Sequence, residues 1–228
     1  MLKHRYGHPL TLLVVATHTG IHLSQFLESC RRVKLHPVLL GWGEPWYGFS
    51  MKLHLVERYL REHHDPHVMV LDAFDSVVLG GATELLDRYF SFDHPMVMST
   101  QMGCWPDEEK LPLYPPAPTP FATVNAGAWV GDRDYILQLF RQHPLQPGTW
   151  DDQRYWTDIF LGEAGLICLD YHQHLFASCG DGFLQWQGGV LNAVTDSRPL
   201  VCHGNGGLSL EKLYHWLGLE WFGVPPEA

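Results

Sequence analysis

The sequence predicts an α/β fold in which a mostly parallel central sheet is flanked by helices. Short apolar segments alternate with amphipathic ones, beginning with a strand over residues 10–17, a helix over 21–32 and a strand over 38–41. This is the order of a βαβ unit. Residues 68–71 then form an uninterrupted apolar run. Such a short run is typical of a strand that is buried on both faces of a parallel sheet.

The other elements follow from periodicity and from the residues that begin helices. In the first helix, apolar residues recur at i, i+3, i+4 and i+7, and they therefore share one face. Further helices are predicted over residues 51–63, 83–89, 134–142 and 151–161, and further strands over residues 95–100, 165–170 and 199–202. Thr83 is predicted to be the N-cap of its helix.

Length and composition limit the class of protein. With 228 residues and 46% apolar content, we expect residues 1–228 to form a single domain. The net charge of −10 and the lack of a basic patch argue against a nucleic-acid partner. No stretch reaches the ~20 apolar residues of a membrane span. Five scattered cysteines and an apolar start without a cleavage pattern predict reduced thiols and a cytoplasmic location. The sequence leaves the oligomeric state open.

Two carboxylates, Asp72 and Asp75, directly follow the buried strand. An unpaired charge inside a sheet is costly, so we expect both acids at the strand end, where open α/β sheets bind ligands. The spacing Asp-x-x-Asp presents two oxygen donors that suit a divalent cation bridging a diphosphate. An acidic turn that caps the next segment is the alternative interpretation.

Three other segments carry candidate residues. Asp151 and Asp152 open a predicted helix, where they are either site residues or charges that match the helix dipole. His203 follows a short strand and precedes a glycine-rich turn, which suits a metal ligand, although most single histidines have no such role. The small residues around Asn125 permit either a close approach to a ligand or a tight packing turn.

The order of these segments resembles the glycosyltransferase domain of procollagen lysyl hydroxylases, a GT-A-type transferase with a Rossmann-type fold. The resemblance covers about residues 11–206. It is most specific at Leu-Asp-Ala-Phe-Asp (71–75), Cys-Trp-Pro-Asp (104–107), Trp-Asp-Asp-Gln (150–153) and His-Gly-Asn-Gly (203–206). Procollagen galactosyltransferases are a more distant comparison. No hydroxylase domain accompanies these motifs, so we expect a stand-alone transferase.

The resemblance implies a UDP-sugar donor and Mn²⁺, and it assigns residues to each. The implied metal ligands are Asp72, Asp75 and His203. The implied nucleotide contacts are Thr17, Lys52 and Phe74, the last stacking on uracil. Asn205 and Gly206 would lie along the diphosphate, Asn125 would face the donor, Asp151 and Asp152 would face the donor sugar, and Trp105 would lie at the acceptor side.

The function that the resemblance implies is transfer of glucose or galactose from a UDP-sugar to a hydroxyl acceptor. Hydroxylysine or galactosyl-hydroxylysine of a collagen-like chain is the acceptor that the family suggests. A UDP-sugar-binding module without catalysis and a metal-dependent UDP-sugar phosphohydrolase are the alternatives. One departure concerns the family's lysine after the Gly-Asn-Gly turn, which is absent here. Lys212 either replaces it or the diphosphate has one contact fewer.

Overall fold

The computed structural model describes residues 9–146, 151–179, 182–205 and 210–220. In chain order the elements are β1 (Leu10–Val15), α1 (Ile21–Arg32), β2 (Val38–Leu40), α2 (Ser50–Glu62), β3 (His67–Asp72), β4 (Ser76–Val78), α3 (Ala82–Phe90), β5 (Met96–Gln101), a 3-10 helix (Glu108–Leu113), β6 (Thr123–Asp132), α4 (Arg133–Gln142), α5 (Asp152–Gly162), β7 (Cys168–Leu169), β8 (Phe176–Ser178), β9 (Leu184–Trp186), β10 (Val190–Asn192), β11 (Val201–His203) and α6 (Glu211–Leu217).

Six strands form the central sheet in the order β2-β1-β3-β6-β5-β7. Neighbouring strands pair in parallel except at β6, which runs antiparallel to both β3 and β5. The predicted α/β fold with a mostly parallel sheet is therefore confirmed. The apolar run at residues 68–71 is fully buried within β3, because helices cover both faces of the sheet.

Each face of the sheet has its own apolar core. On one face Val14 and Leu71 pack with Phe26 of α1 and Leu85 of α3. The opposite face packs against α2, α4 and α5, and its two largest side chains, Trp129 and Trp156, lie with their ring centroids 5.6 Å apart. The amphipathic helices thus bury their apolar stripes on both sides of the sheet.

A second, three-stranded sheet in the order β4-β11-β8 extends from the edge where β3 ends. Its strand β11 is antiparallel to β4 and parallel to β8. Leu213 and Tyr214 of α6 pack in the same cluster as Val77 and Cys202 of this sheet. This arrangement brings a late segment of the chain, β11, beside the turn that follows β3.

Strand β6 contains an irregularity at its centre. Met98 of β5 pairs with Trp129, whereas the next residue, Ser99, pairs with Asn125, so the segment 126–128 has no partner on β5. Such a bulge leaves ladder groups free for side chains. The Ala126 N–H donates to Gln153 Oε1 at 3.2 Å, and the Gly127 N–H donates to Asn125 Oδ1 at 3.0 Å. The small residues here form part of a strand and not a tight packing turn, which was one of the two interpretations of this segment.

Two other sequence predictions need correction. The helix predicted from Thr83 begins at Ala82, with Gly81 as its N-cap and no side-chain cap. Of the strand predicted over residues 165–170, only Cys168–Leu169 pairs with a neighbour, because the chain turns at Asp170. The carboxylate of Asp170 accepts the backbone N–H groups of His174, Leu175 and Phe176.

Two further findings concern the thiols and the possibility of a membrane-spanning helix. All five cysteines are free thiols. Among the described residues, no helix combines the length and the apolar character needed to cross a bilayer.

Candidate functional site

Three predicted ligands meet where β3 ends. Asp72 is the last residue of β3, and Asp75 lies in the turn to β4. Strand β11 pairs with β4 so that His203 stands opposite Ser76, and the Gly204 N–H donates to the Asp75 carbonyl at 2.6 Å. The two sheets therefore bring a histidine from the end of the chain to an acidic turn in its first half.

These side chains converge on one point. His203 Nε2 lies 3.4 Å from Asp72 Oδ2 and 3.3 Å from Asp75 Oδ2. One ligand atom from each residue can be chosen so that all three lie within 4.8 Å of one another. His203 is buried, whereas both aspartates are partly exposed, so the cluster opens toward solvent on its acidic side.

The backbone leaves room for the imidazole at one glycine. A Cβ atom on Gly127, in the bulge of β6, would lie only 2.0 Å from His203 Cε1. Any side chain there would displace the histidine, so residue 127 must be glycine for His203 to reach the acids. Two carboxylates and one imidazole around an open position fit a divalent transition metal better than an all-oxygen set would.

The charge on His203 depends on this environment. Burial alone would lower its pKa, but the carboxylates of Asp75 and Asp72 outweigh burial and raise the pKa of His203 to about 10. The carboxylates therefore favour the protonated, positively charged form of the His203 imidazole. A metal ion that binds here would release this proton, since only the neutral imidazole is a ligand.

Lys52 is buried directly behind this cluster. Its ammonium group lies 2.6 Å from Asp72 Oδ1, 2.6 Å from Asp152 Oδ2 and 3.1 Å from the Ala126 carbonyl oxygen. Burial would lower the pKa of Lys52, but Asp152 and Asp72 raise it well above its usual range. Burial likewise opposes the shift at Asp72, yet Lys52 and His203 hold the pKa of that carboxyl well below its usual range.

The two acids at the start of α5 have different partners. Asp151 is the N-cap, and its Oδ1 accepts the Arg154 N–H at 2.7 Å. Asp152 instead faces Lys52. Burial raises the pKa of both carboxyls, and at Asp152 the nearby Asp72 adds to this effect. The capping interpretation therefore describes Asp151, while Asp152 belongs to the buried charge cluster.

The first turn of α5 also holds the loop that carries Trp105. Gln153 donates to the Trp105 carbonyl at 2.7 Å while it accepts from Ala126. On the outer side, the Arg154 guanidinium pairs with Asp107 at 2.5 Å. Lys110 bridges Asp107 and Asp158 at 2.8 Å and 2.6 Å. These contacts place the loop beside the acid pair.

Trp105 itself is about half exposed and continues a row of exposed aromatic rings. Its ring contacts Phe49 edge to face at a centroid distance of 6.1 Å, and Phe49 contacts Trp46 in the same way at 6.0 Å. The glycine- and aromatic-rich segment before α2 thus forms one wall of the region in front of the site.

The predicted nucleotide contacts lie on the other side of the acidic turn. Phe74, between the two aspartates, stacks on His18 with ring centroids 5.0 Å apart. Thr17 follows β1, and its Oγ1 lies 3.1 Å from His18 Nδ1. Both residues are partly exposed and therefore open to a ligand.

Asn125 is oriented away from solvent. Its amide nitrogen donates to Gln101 Oε1 at 2.6 Å, its oxygen accepts from Gly127, and the residue is 2% exposed. A direct contact between this side chain and a donor would require a change of partners. The location is that of a packing residue in the β6 bulge.

The segment after His203 is only partly described. Asn205 is partly exposed, and its Oδ1 has no hydrogen-bond partner in the described part of the chain. Gly206 lies outside the described residues. Lys212 lies exposed in the first turn of α6.

Sequence reasoning missed two residues that build the site. Gly127 and Gln153 both belong to motifs that the sequence singled out, but their contacts are with distant segments. A glycine between two alanines inside a strand was the available signal for a close approach.

Comparisons with known proteins point to one family of domains. The family model described as the PLOD GT domain matches residues 7–222. An uncharacterized protein of Acanthamoeba polyphaga mimivirus is 28% identical over 213 residues, which cover 86% of this chain and 46% of that protein. The multifunctional procollagen lysine hydroxylase and glycosyltransferase of Caenorhabditis elegans is 26% identical over 240 residues, covering 93% of this chain and 33% of the relative.

The human protein of the same description is 25% identical over 228 residues, covering 90% of this chain and 31% of the relative. The chain thus spans about a third to a half of the length of these relatives. The family match confirms the resemblance noted from the motifs, and the mixed sheet with its flanking helices agrees with a GT-A-like fold.

Proposed function

Because this chain belongs to the family of PLOD glycosyltransferase domains, we propose that it transfers glucose or galactose from a UDP-sugar to a hydroxyl acceptor with the help of Mn²⁺. The observation that carries the proposal is the convergence of Asp72, Asp75 and His203 at a partly open point. The buried Lys52–Asp152 pair lies directly beside it.

The donor set supports a divalent cation at this point. Asp72, Asp75 and His203 would hold the ion, and the imidazole favours Mn²⁺ over Mg²⁺, which prefers oxygen ligands alone. Bound there, the ion would act as a Lewis acid that stabilises the negative charge on the departing diphosphate. Phe74 and Thr17, which are partly exposed, would contact the nucleotide.

The acids of α5 suit the sugar. A transition state for glycosyl transfer carries positive charge on the ring, as in glycoside hydrolysis. Asp152, held ionised by Lys52, offers a fixed negative charge for it. Asp151 is used as a helix cap through Oδ1, and its buried Oδ2 has no hydrogen-bond partner among the described residues. The residue is 1% exposed, so a sugar hydroxyl would reach this oxygen only after a local rearrangement.

The row of aromatic rings at Trp46, Phe49 and Trp105 supports an acceptor wall on the other side of the acids. Flat apolar rings exclude water and pack against the apolar face of an acceptor. Hydroxylysine or galactosyl-hydroxylysine is the acceptor that we propose to test first, because two relatives are named as procollagen lysine hydroxylases and glycosyltransferases.

The first experiment measures thermal stability and UDP release with UDP-glucose and with UDP-galactose, each with and without Mn²⁺. Ligands that bind only the folded state raise the melting temperature by mass action. We expect a shift that requires nucleotide and metal together, and we expect Asp75→Asn to abolish it.

Asp87→Asn, which changes an exposed carboxylate on α3, is the matched control and should leave the shift intact. UDP binding without sugar transfer to any acceptor or water would indicate a binding module instead. Release of UMP would indicate a phosphohydrolase. A wild-type protein that gives no shift would contradict the proposed function itself.

A further inference from the structure

Protein groups surround the ammonium group of Lys52. It donates hydrogen bonds to Asp72 Oδ1 at 2.6 Å and to the Ala126 carbonyl at 3.1 Å, and it forms an ion pair with Asp152 Oδ2 at 2.6 Å. The residue is 5% exposed. A phosphate could therefore reach this ammonium group only if the surrounding protein groups moved.

The two carboxylates also depend on the lysine. Asp72 and Asp152 come from β3 and α5 and meet only through the Lys52 ammonium. Without it, the buried acid Asp152 would face the partly exposed Asp72 of like charge, which is unfavourable. The bulge of β6 adds the third acceptor, because the Ala126 carbonyl lies in the segment that has no partner on β5.

Because of Lys52, the two carboxylate oxygens of Asp72 have different partners. Oδ1 faces the ammonium at 2.6 Å, and Oδ2 lies 3.4 Å from His203 Nε2. The oxygen that remains available to the cluster of Asp72, Asp75 and His203 is therefore Oδ2.

Resting on the proposed function, we propose that Lys52 is a positioning residue that joins Asp72 to Asp152 and does not bind the nucleotide. It presents Asp72 to a metal ion through Oδ2 and holds Asp152 in the orientation that faces the sugar. This differs from the nucleotide contact that the family resemblance implies for Lys52.

The deciding experiment uses Lys52→Met, which keeps the length of the side chain and removes the charge. Calorimetry would measure the affinity for UDP at saturating Mn²⁺ and the affinity for Mn²⁺ alone. We expect the UDP affinity to stay within about threefold of wild type. We expect the Mn²⁺ affinity to change little, because the extra negative charge of the cluster offsets the lost orientation of Asp72. We expect kcat for UDP release to fall at least about a hundredfold, since the acid beside the sugar loses its support.

A lysine that binds the diphosphate predicts the opposite pattern. Loss of a charge-assisted contact to phosphate would weaken UDP binding by at least about tenfold. That result would overturn the inference while the Mn²⁺-dependent binding of wild type left the proposed function intact. A wild type without Mn²⁺-dependent UDP binding would instead contradict the proposed function.

A second variant keeps the test decisive if Lys52→Met does not fold. Asp152→Asn leaves the lysine and its contact with Asp72 in place, and it should lower kcat without weakening UDP binding. The double variant Lys52→Met/Asp152→Asn removes one of the two charges that face the lysine, and its UDP affinity is compared with that of Asp152→Asn alone. We expect the two affinities to agree within about threefold, and a loss of at least about tenfold in the double variant would overturn the inference.

Lys110→Met is the matched control. Lys110 also bridges two carboxylates, those of Asp107 and Asp158, but it contacts no residue of the Asp72, Asp75 and His203 cluster. We expect it to change stability slightly and to leave both the Mn²⁺ affinity and the UDP affinity at wild-type values.

Discussion

Two ionic networks meet at the first turn of α5, and they differ in burial and in charge balance. The inner network joins Asp72 and Asp152 through the buried Lys52 and borders Asp75 and His203. The outer network links two acids and two bases, which are Asp107, Asp158, Arg154 and Lys110.

The outer network has equal numbers of acids and bases and lies near the surface. Its charges therefore balance without a further ion, and its contacts hold the Trp105 loop against α5. The inner network has more carboxylates than cationic groups, and its charges are mostly shielded from solvent. An excess of one charge that is shielded from solvent and has no partner lowers the stability of a protein. This difference is compatible with a divalent cation at the inner network, whereas the outer network is a structural brace. Shifted pKa values in the inner network agree with a functional site.

The largest effect is expected from Gly127→Ala, which breaks the inner network alone. The new Cβ would lie 2.0 Å from His203 Cε1, so the imidazole must leave its place. We expect a loss of about 3 kcal/mol in the free energy of unfolding and no Mn²⁺-dependent rise in melting temperature. Scanning calorimetry with and without Mn²⁺ measures both.

Gly131→Ala, in the same strand, provides the control for Gly127. Its Cβ would lie 2.8 Å from the Pro95 carbonyl, remote from the metal ligands. This variant should lose stability and keep the Mn²⁺ effect. A Gly127→Ala protein with an unchanged Mn²⁺ effect would show that His203 is not a ligand.

A smaller effect is expected from Gln153→Met, which tests whether the two networks are independent. Gln153 lies between Asp152 and Arg154 and connects Ala126 to the Trp105 loop. We expect a loss of about 2 kcal/mol because two buried backbone groups lose their partner. UDP release should also slow about tenfold if the loop and the acids work together.

Gln173→Met is the matched control for that substitution. Gln173 is a fully buried amide that bonds the Thr100 carbonyl and Asn192, outside both networks. It should lose similar stability and keep the rate of UDP release. Equal rates in the two variants would mean that the Trp105 loop has no bearing on the acids.

The smallest effect concerns the outer network and its dependence on pH. Arg154, with Lys110, lowers the pKa of Asp107 to about 2 from its ordinary value near 3.8. A carboxyl with a lowered pKa contributes stability above its unfolded pKa and loses it as pH falls toward the folded one.

We therefore expect Asp107→Asn to cost about 1 kcal/mol at pH 5–7, the upper end for a bridge near solvent. The difference from wild type should shrink as pH falls from about 4 to about 2. Urea unfolding at several pH values measures it. A difference that stays constant over this range would argue against an ionised Asp107 as its source.

The sequence predicted the features that depend on local pattern. The strand before Asp72 and the helix after Asp151 follow from apolar runs and capping residues, and both are confirmed. The family resemblance, which rests on ordered motifs, brought His203 into the same proposed ligand set, and the structure places it beside Asp72 and Asp75.

Contacts between distant segments could not be predicted in this way. The small residues around Asn125 left open a close approach to a ligand or a tight packing turn, and they form a bulged strand in the middle of the sheet. The family resemblance implies a nucleotide contact for Lys52, whereas the protein groups around its ammonium come from β3, β6 and α5. Nothing in its neighbouring residues reveals those partners.

The pairing of β11 with β4 has a consequence for how the protein assembles. Asp72 and His203 are about 130 residues apart, so an ion held by both would close a very long loop of chain, and closing long loops removes much of the disorder of the unfolded state. During synthesis both carboxylates precede the imidazole by about 130 residues, so the ligand set is complete only after β11 has been made. Such an ion would therefore stabilise the fold only once β11 has paired with β4.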